Sequence, residues 1–185
     1  MDLIKALETR RSVRNYQKRG VDQETIEKLI ALATLAPSAM NAQPWAFVVI
    51  TDKSKLDAYS TRAKGILLSS MELHPLMKKY RALLSRKTFN IFYNAPVLVA
   101  IYAKPEGPAP EDDTCLAAQN FMLAAHNEGL GTCWIGFSKE MLNSDEFKAE
   151  LGIPEEYTAA APMILGYPAT APPAVQRKDP EIYYL

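Results

Sequence analysis

The chain has 185 residues, 48% of them apolar and 23% charged, which excludes a disordered chain and fits a single domain over residues 1–185. Its 21 basic side chains are matched by 21 acidic ones, so it lacks the positive excess of a nucleic-acid binder, and no nucleic-acid partner is expected. No stretch is apolar enough for a membrane span, residues 1–10 have no apolar secretion core, and the 2 cysteines form no CxxC pair, so a cytoplasmic protein with reduced thiols is expected.

Leu3, Ile4 and Leu7 fall at helical spacing and predict a short helix over residues 3–10 that runs straight into "RRSVR". A second helix follows Asp22, whose carboxylate can cap free amides while Val21 and Ile26 form a hydrophobic staple. Ile26, Leu29, Ile30 and Ala33 mark its apolar face, and Pro37 lies just past its end. "WAFVVIT", residues 45–51, reads as a strand buried on both faces. Residues 53–94 are rich in Lys, Arg, Ser and Leu and are expected to be helical in pieces, with a break near His74 and Pro75. "APVLVAIYA", residues 95–103, reads as a second buried strand, and "KPEGPAPEDD" as the loop after it.

Residues 114–128, "TCLAAQNFMLAAHNE", form the most apolar helix, with Leu116, Ala117, Ala118, Phe121, Met122, Leu123, Ala124 and Ala125 spread around it. A helix apolar on nearly all sides is buried on nearly all sides, either centrally in its own core or by a second subunit. "GTCWIGF", residues 131–137, reads as a short strand or turn, and residues 144–151 as a capped helix stopped by Gly152 and Pro154. "AAAPMILGY", residues 159–167, is a third strand interrupted by Pro162. From residue 168 the chain is proline-rich, extended and in need of a surface to pack on. Helices alternating with isolated strands predict α+β or α/β layers around one sheet.

Several chemistries lack their residues. His74 and His126 are far apart and neither sits in a ligand pattern, so no metal site is expected. There is no GxSxG for a serine elbow. Gly131 and Gly136 have the GxxxxG spacing of a phosphate loop, but Phe137 stands where the lysine belongs. Gly129-Leu130-Gly131 follows a helix and lacks the third glycine of a dinucleotide turn. An enzyme made from this chain would rely on a bound cofactor.

Two segments suit such a cofactor. If residues 10–14 are extended, Arg10, Ser12 and Arg14 point one way and Arg11 and Val13 the other. Two guanidiniums and a hydroxyl suit a phosphate, which arginine forks bind bidentately. One unit pair at about 4 Å and an effective dielectric near 20 is worth roughly 4 kcal/mol. The alternative is a solvated basic helix end. In "APSAMNAQPWAFVV", residues 36–49, the group Pro37, Ser38, Asn41, Gln43 and Pro44 forms a polar connector. Its amides and hydroxyl suit the edge of a planar heterocycle; the alternative is an ordinary helix-to-strand loop.

Together these segments resemble the nitroreductase family of flavoprotein oxidoreductases. The resemblance is carried by "RRSVRNY", "APSAMNAQPWAFVVIT", "FYNAPVLVAIY", "DDTCLAAQNFMLAAHNEGLGTCWIGF", "LGIPEEY", "MILGYP" and "RKD". It implies an α+β, nitroreductase-like fold with a central, mainly antiparallel sheet surrounded by helices, in an intertwined homodimer with FMN at the interface. At the matching positions it implies that Arg10 and Ser12 hold the phosphate and ribityl chain, with Arg11 beside them and Arg14 at the pyrimidine end. Pro37, Ser38, Ala39 and Asn41 match a segment that reaches the flavin from the other subunit. Ile135 and Gly136 match the stretch along the ring, and Arg177 with Lys178 a basic position that completes the phosphate site. The match is weakest over residues 53–94. No side chain of the chain itself is implied to be catalytic: the flavin takes electrons from NADH or NADPH and gives them to a small electron-poor acceptor such as a nitroaromatic or quinone. Two rivals share the resemblance. One is a flavin-binding or flavin-sensing module without turnover; the other is a relative with dehalogenase or flavin-breakdown chemistry.

Overall fold

Side-chain caps set the starts of the main helices. In the computed structural model, which describes residues 2–73 and 75–185, α1 (Leu3–Thr9) begins where Asp2 accepts from the Lys5 N–H, and α2 (Gln23–Ala33) where Asp22 accepts from the Thr25 N–H. β1 (Trp45–Ile50) leads to α3 (Lys53–Ser69), capped by Asp52. Turns of 3-10 helix at Met71–Leu73 and Pro75–Tyr80 and the single turn α4 (Arg81–Leu84) follow, so this region is helical in pieces as expected. His74, expected at the break, lies outside the described residues. β2 (Val97–Ala103), α5 (Pro110–Asn127), β3 (Gly131–Trp134), α6 (Lys139–Leu142), α7 (Asp145–Leu151) and β4 (Thr158–Gly166) complete the order. α7 starts under the Ser144 cap and stops at Gly152, whose φ of 67° is the left-handed C-cap read from the sequence.

The strands form one antiparallel sheet in the order β1-β2-β4-β3, with helices on both faces. β2 shows why both faces are covered. Leu98, Ala100 and Tyr102 enter a core with Leu56, Tyr59 and Ala63 of α3, Met141 and Leu142 of α6, and Phe147 of α7. Val97, Val99 and Ile101 enter a second core with Ile26, Leu29 and Ala33 of α2 and Ala118, Phe121 and Ala125 of α5. Strand alternation sends successive side chains to opposite cores, and every β2 residue is buried. The one polar group this costs is satisfied: the Tyr102 hydroxyl donates to the Leu142 carbonyl at 2.7 Å. The result is the α+β architecture expected.

Three local expectations need correction, and one alternative is narrowed. β1 is not buried on both faces; it is the sheet edge, and only Ile50 is fully covered. The loop after β2 ends earlier than expected, because Pro110 opens α5, where its missing N–H costs nothing. Pro162 does not interrupt β4. Its carbonyl accepts from the Ile135 N–H at 2.9 Å, on the side where β3 has already ended, so its own missing N–H leaves the pairing with β2 intact. α5 is covered by its own chain on one side only, and Leu116 remains 46% exposed.

Other apolar groups are open as well. Leu3, Ile4 and Leu7 of α1 are exposed, as are Leu35 and Met40 beyond the end of α2. The tail pairs briefly with the segment after the arginines, through the Ala169 N–H to the Asn15 carbonyl at 3.0 Å and Gln17 Nε2 to the Pro168 carbonyl at 2.9 Å. Beyond Pro172 its residues are exposed, Tyr183 and Tyr184 among them, so the surface expected to support it is not on this chain. No helix among the described residues is long and apolar enough to cross a membrane.

Candidate active site

The arginine segment is shaped by β3. Residues 10–14 leave α1 in extended form and run parallel to β3, with Ser12 bridging Thr132 and the Val13 N–H donating to the Thr132 carbonyl at 2.9 Å. Val13 is buried, Ser12 and Arg14 are exposed, and Arg10 is half-buried, the alternation expected of an extended run. Gly131 permits this close approach, since a Cβ there would lie 2.5 Å from Val13 Cγ2. The Tyr16 hydroxyl donates to the Val13 carbonyl at 2.7 Å and closes the segment from the other end.

Arg177 of the exposed tail comes near enough for its charge to act on Arg10. Burial, then the charges of Arg177 and Arg11, hold the Arg10 guanidinium below its ordinary range. Among the described residues, no carboxylate lies within ion-pair distance of Arg10, Arg14, Arg177 or Lys178. Arg14 lies 5.8 Å from the centroid of the Tyr93 ring. Behind the segment, burial pushes the Cys133 thiol up, opposed by Arg14, Ser12 and Arg10. Cations gathered at a half-buried site without a counter-charge make a site for an anion.

Arg11 belongs beside Arg10 by its charge but is held by backbone. Its Nη1 donates to the Glu8 and Arg10 carbonyls at 2.6 and 2.9 Å, closing the C-terminal end of α1. That end is tied to α5 by a 2.8 Å hydrogen bond between Thr9 Oγ1 and His126 Nε2. Burial and the charges of Arg10 and Arg11 lower the His126 pKa.

The polar connector after α2 is strained. Met40, Asn41 and Gln43 take φ values of 53°, 55° and 51°, each in the left-handed region that costs a non-glycine residue of order 1 kcal/mol or more. Ser38 Oγ accepts from the Gln43 N–H at 3.0 Å, and Gln43 Nε2 donates to Asn41 Oδ1 at 3.1 Å. The Ala39 N–H donates to both carboxylate oxygens of Asp113, at 3.0 and 3.2 Å. Gly107, at φ 76°, lets the loop before α5 close over this turn, where a Cβ would come 2.6 Å from that of Ala42. Pro37, Ser38, Ala39 and Asn41 are thus brought together on one rigid, partly exposed turn.

Ile135 and Gly136 lie where β3 gives way to a 3-10 turn at Gly136–Ser138. The Ile135 side chain is buried and its carbonyl accepts from the Ser138 N–H and hydroxyl, while Gly136 is exposed with open space where a side chain would be. A planar group can therefore approach the backbone at this point.

The predicted residues fall into two halves. Arg10, Ser12, Arg14 and Arg177 gather beside β3, near the His126 end of α5, while the Ser38–Asn41 turn is fastened to Asp113 at its other end. From Asp113 to His126 the helix rises roughly 20 Å, so the helix residues that anchor the two groups stand about that far apart. Sequence reasoning missed Asp113, which it left in a loop, and Tyr93 and Cys133 beside Arg14. Only Asp113 carried a usable signal, as an acid following Pro110 at a helix start. A separate cleft of about 680 Å³ opens beyond Tyr93, lined by Tyr16, Lys18, Arg19, Asp57, Asn90 and Asn94 among others, and does not reach Arg10 or Ser12.

Comparison with known proteins adds to this geometry. The model of the Nitroreductase family matches residues 7–167. A protein of Methanothermobacter thermautotrophicus that carries the name "Putative NADH dehydrogenase/NAD(P)H nitroreductase" is 31% identical over 189 residues, covering 100% of this chain and 87% of its own. A 5,6-dimethylbenzimidazole synthase of Rhodospirillum rubrum is 28% identical over 171 residues, covering 86% of this chain and 78% of its own. Among solved structures, a nitroreductase with bound FMN from Bacteroides fragilis superposes with a TM-score of 0.84 at 25% identity, covering 100% of this chain and 99% of that one.

Proposed function

The chain belongs to the Nitroreductase family, and from that premise we propose that it is an FMN-dependent oxidoreductase that works as a homodimer and reduces small electron-poor molecules with NADH or NADPH. One observation supports the reading: the charge of Arg177 acts on Arg10; Arg10, Ser12 and Arg14 all act on Cys133; and among the described residues none of these arginines has a carboxylate within ion-pair distance. The donor set fits FMN. Arg10 and Arg177, with Lys178 next in sequence, neutralise the phosphate, and the Ser12 hydroxyl hydrogen-bonds beside it. Arg14 gives a fixed cation for the pyrimidine edge of the ring. The open backbone at Gly136 would lie along the ring and offer it an amide donor, while the neighbouring Ile135 N–H is already bonded to the Pro162 carbonyl. Arg11, whose Nη1 is bonded to the end of α1, adds its charge beside Arg10.

Bound there, FMN supplies the redox chemistry, taking a hydride from the nicotinamide and passing electrons to a nitroaromatic or quinone. The chain positions, screens and tunes. A fixed positive charge at Arg14 stabilises negative charge that develops on the pyrimidine side, without any reorganisation during the reaction.

The second half of the site comes from a second copy. Asp113, which holds the Ser38–Asn41 turn, and His126, bonded to Thr9 beside Arg10, stand roughly 20 Å apart along α5. Exposed Leu116 on α5, exposed Leu3, Ile4 and Leu7 on α1, and the unsupported tail support a symmetric partner that covers them.

Purification tests the whole reading. The expected product is a yellow dimer with about one FMN per chain that oxidises NADH or NADPH when menadione or a nitrofuran is added. A colourless monomer that takes up no added FMN overturns it. A yellow protein that consumes no nicotinamide points to a flavin-binding module, and one that destroys its own flavin points to the flavin-breakdown alternative.

A further inference from the structure

We propose that Asp113 is the positioning residue of the ring-side half of the site: its carboxylate holds the strained turn at residues 38–43 in the shape that presents Asn41 to the cofactor. The proposal rests on the FMN reading above and assigns a role to a residue outside the set named there.

Three features single out Asp113. It is only 4% exposed, whereas Glu111 and Asp112, its neighbours in the first turn of α5, are exposed. Both of its oxygens accept from one backbone N–H, that of Ala39, so the carboxylate is aimed rather than merely placed at a positive helix end. And Ala39 is the residue at which the turn departs from ordinary backbone: Met40 and Asn41, next in sequence, have φ values of 53° and 55°. An L residue relaxes from that region unless its neighbours hold it there.

The anchor is also rigid. α5 runs from Pro110 to Asn127, and its opposite end is bonded through His126 to Thr9, next to Arg10. One helix therefore sets the spacing between the turn that serves the second copy's cofactor and the arginines that hold its own.

Asp113→Asn keeps the size of the side chain but removes its charge and one of the two acceptor oxygens, leaving the Ala39 N–H a single neutral carbonyl oxygen in place of a carboxylate. A double-mutant cycle for FMN binding, read by quenching of FMN fluorescence, tests whether this acts through Asn41. Asp113→Asn is expected to weaken FMN about tenfold in the native background and less than about twofold in an Asn41→Ala background. Equal penalties in both backgrounds overturn the proposal, because Asp113 then acts independently of the residue it is meant to position. Amide exchange of the FMN-free protein is the second readout: the Ala39 amide is expected to exchange faster in Asp113→Asn while amides of β2 keep their protection. An unchanged Ala39 rate overturns the proposal as well. If Asp113→Asn does not fold, Asp113→Glu, which keeps the charge and lengthens the reach, goes through the same cycle with the same expected non-additivity. A wild-type chain that fails to quench FMN removes the cofactor reading and this proposal with it; additivity in a chain that binds FMN removes the proposal alone.

Discussion

The Val13 N–H donates to the Thr132 carbonyl at 2.9 Å, and this bond lays the arginine segment along β3 with Val13 inward and its charged neighbours outward. Gly131, one residue before Thr132, leaves the room for it. Gly131→Ala would put a Cβ 2.5 Å from Val13 Cγ2, a contact that forces the segment away from the sheet. The expected cost is about 1–3 kcal/mol of stability, with weaker FMN binding alongside. Urea unfolding and FMN titration of the variant measure both, and native values for each would show that the segment does not depend on this contact.

Arg177 crowds Arg10 without a carboxylate to balance either. Removing one of two like charges relieves repulsion in the free protein, so Arg177→Ala is expected to leave the stability of the FMN-free chain unchanged or slightly raised. The same change should weaken FMN by about tenfold or more, since hydrogen bonds to charged groups are worth roughly 1.5–3 kcal/mol. Thermal unfolding and binding at two salt concentrations check the pair of signs. A drop in stability with unchanged affinity would mark Arg177 as structural.

Arg14 lies 5.8 Å from the Tyr93 ring centroid and makes no ion pair among the described residues. If it faces the pyrimidine edge of FMN, Arg14→Ala removes a charge that favours the reduced cofactor. The midpoint potential of the bound flavin then falls and FMN affinity weakens, while Arg14→Lys retains most of the potential. Spectroelectrochemistry decides it, and a potential equal to wild type in both variants would exclude the placement.

His126 predicts a pH dependence. Burial and the nearby Arg10 and Arg11 hold its pKa below the ordinary 6.5, so the unfolded chain takes up the proton more readily than the folded one. The stability tied to the neutral ring is complete above 6.5 and is lost as pH falls through the lower folded value. Urea unfolding of the FMN-free protein between about pH 5 and 8 should show stability rising with pH over this window, and His126→Gln should flatten that slope. An anion held by Arg10 offsets the repulsion, so saturating FMN is expected to raise the His126 pKa, which NMR of the ring protons reports.

Much of this protein is legible residue by residue. The Asp22 cap, the Gly152 stop, the "LVAIYA" strand and the alternation of Arg10, Ser12 and Arg14 depend on near neighbours in the chain, where period and capping chemistry act. The errors have a common origin. β1 was expected to be buried because its residues are apolar, yet it is the edge of the sheet, and strand order is not encoded in any single strand. Pro162 was expected to break β4, but a missing N–H matters only if it faces a partner, and that depends on where β3 ends.

The sequence by itself determined which guanidiniums, hydroxyls and amides are available, and its resemblance to the family supplied the expectation of a phosphorylated planar cofactor. Only the tertiary structure decided where they stand. It brought the charge of Arg177 within reach of Arg10 across most of the chain's length, set Asp113 under the Ala39 amide, and tied Thr9 to the other end of α5 through His126. The reason is physical. Residue type and spacing fix what a side chain can bond, but the distance between segments remote in sequence is set by the packing of whole helices on the sheet, and no local rule contains it.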